Sequence, residues 1–201
     1  RIEACTYILA GAATNGEVTV TDIIPNHIDS LLAKLEETGA SITVGENAVT
    51  IHPSGRLKAV SLKTLPYPGF PTDLQPQVMA ALCLAEGTSV IHESVFQSRF
   101  LHVSELNKMG AKIDLQGNAA VISGVESLTG ADVVATDLRA GAALVLAGLA
   151  AHDCTFVYQL GHIHRGYEDM DRKLRSIGAD VAVVPAEEGS SREKSPASCP
   201  A

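Results

Sequence analysis

An internal repeat constrains the fold of this chain more than any other feature of its sequence. Three segments share the pattern Leu-x-x-x-Gly-Ala, and their glycines, Gly39, Gly110 and Gly178, are 71 and 68 positions apart. A nearly constant spacing of this size is typical of supersecondary units that are stacked or arranged around one centre. The chain is therefore predicted to contain three equivalent units: unit one (about residues 1–52), unit two (59–124) and unit three (131–184).

Each predicted unit has the same order of elements. A helix rich in Ala, Gly and Leu is followed by a β-branched strand, an amphipathic helix that ends at the shared glycine, and one or two alternating strands. The first helix is apolar on nearly all sides, so it must be surrounded by protein. The sequence thus predicts a mixed α/β (α+β) domain over residues 1–184, with three buried helices at its centre and sheets outside. The predicted central helices are Tyr7–Thr14, Gln77–Ala85 and Gly141–Ala151.

The end of the chain departs from this pattern. Unit three has predicted strands at Cys154–Tyr158 and directly after Gly178, without the second hairpin strand of the other units. Residues 185–201 lack apolar periodicity and are predicted to be a disordered tail. The chain also opens without Met in what reads as the middle of a domain, so we expect a fragment of a longer protein.

Charge and cysteine usage narrow the classes of function. The formal net charge is −8 and no run of Lys or Arg occurs, which argues against a nucleic-acid or anionic-membrane partner. No apolar segment has membrane-spanning length. The cysteines, which show no C-x-x-C spacing, favour free thiols in a reducing cytoplasm over disulfides or zinc. They are Cys5, Cys83, Cys154 and Cys199.

The stretch Leu65–Gln77 is the first candidate for chemistry. Three prolines and one glycine lie within the six residues from Pro66 to Pro71, which predicts a stiff loop. This loop delivers Asp73 to the start of the central helix of unit two, with Thr72 as a candidate N-cap. A carboxylate there could act as a general base, or it could simply balance the helix dipole.

The sequence Thr-Asp-Leu of this loop occurs again one unit later, directly before Arg139. The echo favours N-cap roles for Thr72 and Thr136. Repeated units commonly present their loops on one face, so Asp73 and Arg139 are expected at equivalent edges of the domain. A carboxylate and a guanidinium from neighbouring units could then converge on one small anionic ligand.

Two further loops carry candidate binding residues. Arg165 precedes Gly166 and could capture a carboxylate or phosphate, or could be a solvated surface residue. His162 and His164, taken as alternating neighbours on a strand, could bind a metal, but no third ligand is evident. Backbone groups near Val95, which follows a strand of unit two, could contact a substrate or merely begin a helix.

Taken in order, these segments resemble the enolpyruvyl transferases, and within them the branch that acts on UDP-N-acetylglucosamine in peptidoglycan synthesis. The resemblance runs from residue 1 to about residue 184. It implies an inside-out α/β barrel of three βαβαββ units, which is one of two similar domains in the family. The segments that carry it are 65–75, 85–91, 99–103, 135–140, 144–149 and 165–168.

The resemblance also implies a reaction and a set of site residues. It implies transfer of the enolpyruvyl group from phosphoenolpyruvate to the 3′-hydroxyl of UDP-N-acetylglucosamine, with release of phosphate and without a cofactor or metal. By its place in the motif, Asp73 resembles the base that contacts the sugar hydroxyl. Arg139 and Arg165 resemble the groups that bind phosphoenolpyruvate. Val95 takes the place of a backbone contact to the nucleotide sugar, and Asp137 that of a residue that orients Arg139.

The chain departs from the family's usual residues at several places. His164 stands where Asp is usual, Gly141 where Ser is usual and Cys5 where Gly is usual, and residues 159–161 also differ. The family's amino-terminal domain, with a Lys-Asn pair, further arginines and a mobile Cys loop, is an expected partner. Without it, we expect this chain to bind substrate weakly and to turn over nothing.

Two alternatives remain at this point. The same chemistry could act on shikimate 3-phosphate, although the sequence from Pro66 to Asp73 resembles more closely the branch that acts on UDP-N-acetylglucosamine. The chain could also be a non-catalytic remnant that keeps the three-unit fold as a binding or assembly module.

Overall fold

The structure is a computed structural model that describes residues 1–185, and its elements follow the three units in chain order. Unit one contains α1 (Ile2–Thr14), β1 (Val18–Thr21), α2 (Asp29–Glu37), β2 (Ser41–Val44) and β3 (Ala48–His52). Unit two contains β4 (Ser61–Lys63), α3 (Gln75–Leu82), β5 (Thr88–His92), α4 (His102–Lys108), β6 (Lys112–Gln116) and β7 (Ala119–Ser123). Strand β8 (Leu128–Thr129) lies just before unit three, which contains β9 (Asp132–Val134), α5 (Leu138–Leu149), β10 (Ala151–His152), β11 (Phe156–Tyr158), α6 (Gly161–His164) and α7 (Met170–Ser176).

Helices α1, α3 and α5 form the centre of the fold and pack against one another in all three pairs. Most residues of each helix are buried, and every residue of α3 is. Their small side chains permit this close approach of helix backbones, while the burial of Leu, Ile and Val supplies most of the driving force. The predicted arrangement of three buried helices is confirmed.

Units one and two each place a sheet outside the central helices. In unit one the strand order is β1-β3-β2, with antiparallel pairing throughout. In unit two the order is β4-β5-β7-β6, in which β4 and β5 are parallel and the other pairs are antiparallel. Unit two therefore contains the complete βαβαββ order that the resemblance implies.

Unit three differs from the other two. Within residues 1–185 its strands and the adjacent β8 form only two short parallel pairs, β8 with β10 and β9 with β11. The strand expected after Gly178 is not formed within the described residues, which corrects the sequence-based prediction. In units one and two the corresponding strand pairs with a neighbouring hairpin strand, and the described part of unit three supplies no such partner.

Two sequence-based expectations concern the rest of the chain. The predicted disordered tail, residues 185–201, lies outside the described residues from position 186 onward. In the part of the chain that is described, no helix combines the length and the apolar character needed to cross a membrane.

Candidate active site

The loops before α3 and α5 form the candidate site. The loop between β4 and α3 is closed by two backbone hydrogen bonds, from the N–H of Leu65 to the carbonyl of Phe70 (2.9 Å) and from the N–H of Gly69 to the carbonyl of Pro66 (2.8 Å). Asp73 follows in a short 3-10 turn, Thr72–Leu74, directly before α3. The stiff loop that the prolines predict thus leads to the start of a buried helix.

The carboxylate of Asp73 lies between two guanidinium groups. Arg99 donates to Oδ1 at 2.7 Å, and Arg139 reaches Oδ2 at 3.4 Å. The two arginine side chains are only 19% and 17% exposed, whereas the side chain of Asp73 keeps 41% of its exposure. A ligand can therefore reach the carboxylate, while the arginines are fixed largely within the protein.

The resemblance implies that Asp137 orients Arg139. In the structure Asp137 contacts the backbone of Arg139 rather than its guanidinium group. Asp137 is the N-cap of α5, and its Oδ1 accepts from the backbone N–H groups of Arg139 (2.7 Å) and Ala140 (2.9 Å). It therefore fixes the backbone from which the guanidinium extends. The expectation that Thr136 caps this helix is wrong, because the neighbouring carboxylate takes the position.

The N-cap expectation for Thr72 is also wrong. Pro71 precedes the 3-10 turn, and neither this turn nor α3 has a side-chain cap. The Thr72 hydroxyl instead donates to Oε2 of Glu93 at 2.9 Å and accepts from Nη1 of Arg99 at 3.2 Å. A buried acceptor nearby competes successfully with the local capping geometry.

Tyr167 connects Arg139 to the centre of the fold. The guanidinium carbon of Arg139 lies 6.0 Å from the centre of the Tyr167 ring, at the outer limit of a cation–π contact. The buried Tyr167 hydroxyl forms hydrogen bonds with the hydroxyl of Thr6 in α1 (2.9 Å) and the amide of Gln77 in α3 (3.1 Å). All three central helices therefore contribute to the position of this ring.

Arg165 follows the short helix α6 and is exposed. Within residues 1–185 its side chain makes no hydrogen bond and no ion pair. The next residue, Gly166, packs against Leu138 at the start of α5, where an added Cβ would come within 2.8 Å of both Leu138 methyl groups. The structure thus brings Asp73 and Arg139 together and places the Arg165 segment against the residue that precedes Arg139.

The histidines beside Arg165 are not strand neighbours, which corrects the sequence-based interpretation. His162 and His164 lie in α6, because the chain turns into a helix directly after Gln159 and Leu160. Among the residues that the structure describes, no three His, Cys, Asp or Glu side chains come together in a way that could hold a metal ion.

Glu93, at the end of β5, connects the loops on the unit-two side of the site. Its Oε1 accepts from the hydroxyl of Thr64 (2.7 Å) and from the backbone N–H groups of Val95 (2.9 Å) and Phe96 (3.1 Å). Burial alone would raise the pKa of Glu93, but these hydrogen bonds and the one from Thr72 outweigh burial and lower it. The charged carboxylate is thus the form that the fold stabilises.

Val95 lies on the exposed side of this loop. Its side chain is partly exposed and its N–H is occupied by Glu93, so its carbonyl remains for an outside contact. The contact of Val95 with a substrate stays a prediction.

Sequence reasoning missed three residues of the site: Arg99, Glu93 and Tyr167. Arg99 and Tyr167 lie inside the segments that carry the family resemblance, yet neither received a role. Their partners are 26 or more positions away in the chain, so local patterns could not assign them. A single acidic residue between a strand and a polar loop was the available signal for Glu93.

The model of the family described as EPSP synthase (3-phosphoshikimate 1-carboxyvinyltransferase) matches residues 1–174, and the chain belongs to this family.

Relatives from bacteria narrow the comparison. The chain is 55% identical over 186 residues to UDP-N-acetylglucosamine 1-carboxyvinyltransferase 2 of Carboxydothermus hydrogenoformans, covering 92% of this chain and 44% of the relative. It is 52% identical over 181 residues to UDP-N-acetylglucosamine 1-carboxyvinyltransferase 1 of Caldanaerobacter subterraneus subsp. tengcongensis, covering 90% and 44%. The chain therefore spans a little under half the length of these relatives.

Solved structures agree on the fold. The crystal structure of the enolpyruvyl transferase NikO from Streptomyces tendae superposes with a TM-score of 0.81 at 30% identity, covering 89% of this chain and 43% of that one. An EPSP synthase from Acinetobacter baumannii superposes with a TM-score of 0.69 at 22% identity, over 90% and 43% of the two chains. The second likeness supports the fold alone.

Proposed function

We propose that this chain is one domain of a two-domain transferase that moves the enolpyruvyl group from phosphoenolpyruvate to the 3′-hydroxyl of UDP-N-acetylglucosamine, in peptidoglycan synthesis. The names and the identity of the relatives support this substrate pair. The observation that carries the proposal is the reachable Asp73 carboxylate, which lies between Arg99 and Arg139 at the start of a buried helix.

The proposed reaction consists of addition followed by elimination. In the addition, the sugar oxygen bonds to C2 of phosphoenolpyruvate, Asp73 takes the hydroxyl proton, and an acid delivers a proton to the methylene carbon. In the elimination, that carbon loses a proton, the C2–O bond to phosphate breaks, and the alkene returns with free phosphate. Oriented proton transfer of this kind contributes about 10²–10⁴ in rate.

The arginines would bind the anionic substrate. Arg139 and Arg165 are proposed to bind the carboxylate and phosphate of phosphoenolpyruvate, since guanidinium groups can bind such anions through two parallel hydrogen bonds. Asp137 supports Arg139 through its backbone, and Val95 is proposed to contact the nucleotide sugar. We propose that the second domain supplies the remaining cationic groups.

A cytoplasmic location is part of the proposal. Cys5 and Cys83 are fully buried thiols outside any disulfide, and burial raises the pKa of each to about 12. Thiols of this kind are usual in reducing compartments such as the cytosol.

Calorimetry with UDP-N-acetylglucosamine tests the proposal. It would be carried out on this chain and on a chimera that adds the remaining half of the Carboxydothermus relative, followed by a phosphate-release assay with phosphoenolpyruvate. We expect weak or absent binding and no turnover for the chain alone, and both binding and turnover for the chimera. Turnover by the 201-residue chain alone would contradict the two-domain proposal, and absence of binding in both proteins would support a non-catalytic module.

A second candidate acceptor is shikimate 3-phosphate, which the description of the matching family model favours. The same phosphate-release assay with shikimate 3-phosphate separates the two. Turnover with this acceptor but not with UDP-N-acetylglucosamine would replace the first proposal.

A further inference from the structure

The buried carboxylate of Glu93 has more partners than a loop cap requires. It is 2% exposed, and its two oxygens accept four hydrogen bonds from three separate segments. Two come from backbone N–H groups of its own loop, one from Thr64 after β4, and one from Thr72 before α3. Three of these donors share Oε1, and Thr72 donates to Oε2. Within residues 1–185 no Lys, Arg or His lies within ion-pair distance of it.

The bond to Thr72 has a consequence for the base. A hydroxyl has one proton, and in Thr72 this proton is given to Glu93 at 2.9 Å. The hydroxyl oxygen is then free to accept Nη1 of Arg99 at 3.2 Å, and Nη2 of the same guanidinium donates to Asp73 at 2.7 Å. Glu93 therefore orients the hydroxyl of Thr72. The oriented hydroxyl in turn accepts from Arg99, which donates to Asp73.

We propose that Glu93 is a positioning residue that sets the base Asp73 in register with the loop at Val95, where the nucleotide sugar would bind. Its Oε1 holds the Val95 loop, and its Oε2 holds Asp73 through Thr72 and Arg99. The two oxygens of one rigid carboxylate thereby fix the distance between the bound hydroxyl and its base. This inference rests on the proposed function, because it takes the roles of Asp73 and Val95 from it.

The variant Glu93→Gln separates the two sides of the carboxylate. Its amide oxygen can still accept from the Val95 and Phe96 N–H groups, but its amide nitrogen now donates toward Thr72 and reverses that hydrogen bond. In the chimera we expect kcat to fall roughly tenfold to hundredfold, since small displacements of reacting groups have effects of this size. The KM for UDP-N-acetylglucosamine is expected to change little.

The variant Thr72→Val breaks the same connection from its other end while keeping the shape of the side chain. We expect a similar fall in kcat, and we expect the double variant with Glu93→Gln to be no slower than the slower single variant, because both act through one hydrogen bond. Glu86→Gln is the matched control, since it removes one exposed charge near the opposite end of β5. Its kinetics are expected to equal those of the parent protein.

A measurement on the 201-residue chain does not depend on activity. Amide hydrogen exchange at Val95 and Phe96 is expected to accelerate in Glu93→Ala and to stay unchanged in Thr72→Val. An inactive chimera would end the proposed function, while unaltered exchange in Glu93→Ala would end the positioning role. If the losses of kcat in the two single variants multiply in the double variant, the inference is overturned. A change confined to KM would also overturn it.

Discussion

Units two and three both contribute residues to the candidate site, through Asp73 and Arg139, and they differ in how completely their polar groups are paired. In unit two, the side chains of Asp73, Thr72, Arg99 and Glu93 form one connected set of hydrogen bonds beside a four-stranded sheet. In unit three, the exposed side chain of Arg165 makes no hydrogen bond or ion pair with the described residues, and the described strands form only short pairs.

This difference indicates which parts of the site are organised before a ligand arrives. The carboxylate side is preorganised by contacts within the chain, which favours a fixed base. The side chain of Arg165 is exposed and makes no ion pair within residues 1–185, so under the proposed function it is available to bind an anion. Arg139 joins the two units, because it contacts Asp73 and lies over the ring of Tyr167.

The largest expected effect is on the carboxylate side. Replacing Asp73 by Asn removes the proposed base while keeping its shape, and we expect kcat in the chimera to fall about 10²–10⁴-fold. Phosphate release measures this change. The control Asp114→Asn, at an exposed position in β6, is expected to have no effect on turnover. A loss of kcat of less than threefold in Asp73→Asn would contradict the proposed role of Asp73 as the base.

The next effect concerns the exposed side chain of Arg165 in unit three. Arg165→Ala is expected to lower kcat/KM for phosphoenolpyruvate by about 10²–10³-fold, as for the loss of one electrostatic contact to the reacting group. Because the side chain of Arg165 makes no hydrogen bond or ion pair within residues 1–185, the free energy of unfolding should change by less than about 0.5 kcal/mol. Arg172→Ala, which removes an exposed arginine of α7, controls for the change of charge. A normal kcat/KM in Arg165→Ala would contradict the proposed role of Arg165 in binding phosphoenolpyruvate.

The third effect tests the boundary between the two units, where His102 is buried near Asp137 and Arg99. Burial lowers the pKa of His102 from 6.5 to about 4, because Asp137 only partly offsets the desolvation. The unfolded chain therefore takes up a proton first, and stability is lost as pH falls from about 6.5 to about 4. The loss from this group is about 3 kcal/mol.

Denaturant unfolding between pH 7 and pH 5 measures this term. The carboxylates with lowered pKa, Glu93 and Glu105, lose their stabilisation only below about pH 4.5, so the upper window belongs to His102. His102→Phe is expected to flatten the curve in that window, whereas His27→Gln, at an exposed position, should leave it unchanged. An equal slope in His102→Phe and the parent would contradict the buried neutral imidazole.

The smallest effect concerns a contact within unit three. Gly141 in α5 lies so close to α6 that an added Cβ would be 2.6 Å from Cγ1 of Ile163 and 3.1 Å from Cβ of Ala135. Gly141→Ser should therefore cost about 1–3 kcal/mol by overpacking. Gly45→Ser is the control, because its nearest neighbour would be 3.5 Å away. Equal thermal stability of Gly141→Ser and the control would mean that α6 moves freely.

The sequence by itself determined the three-unit architecture, the three central helices and the loop that carries Asp73. These features depend on local periodicity and on the backbone restrictions of proline, which a single segment expresses without its neighbours. The tertiary structure alone decided that Arg99 holds Asp73, that Glu93 joins two loops, and that α6 replaces a strand. Hydrogen bonds between residues 26, 66 and 161 positions apart depend on how the units pack, and no local pattern contains that information.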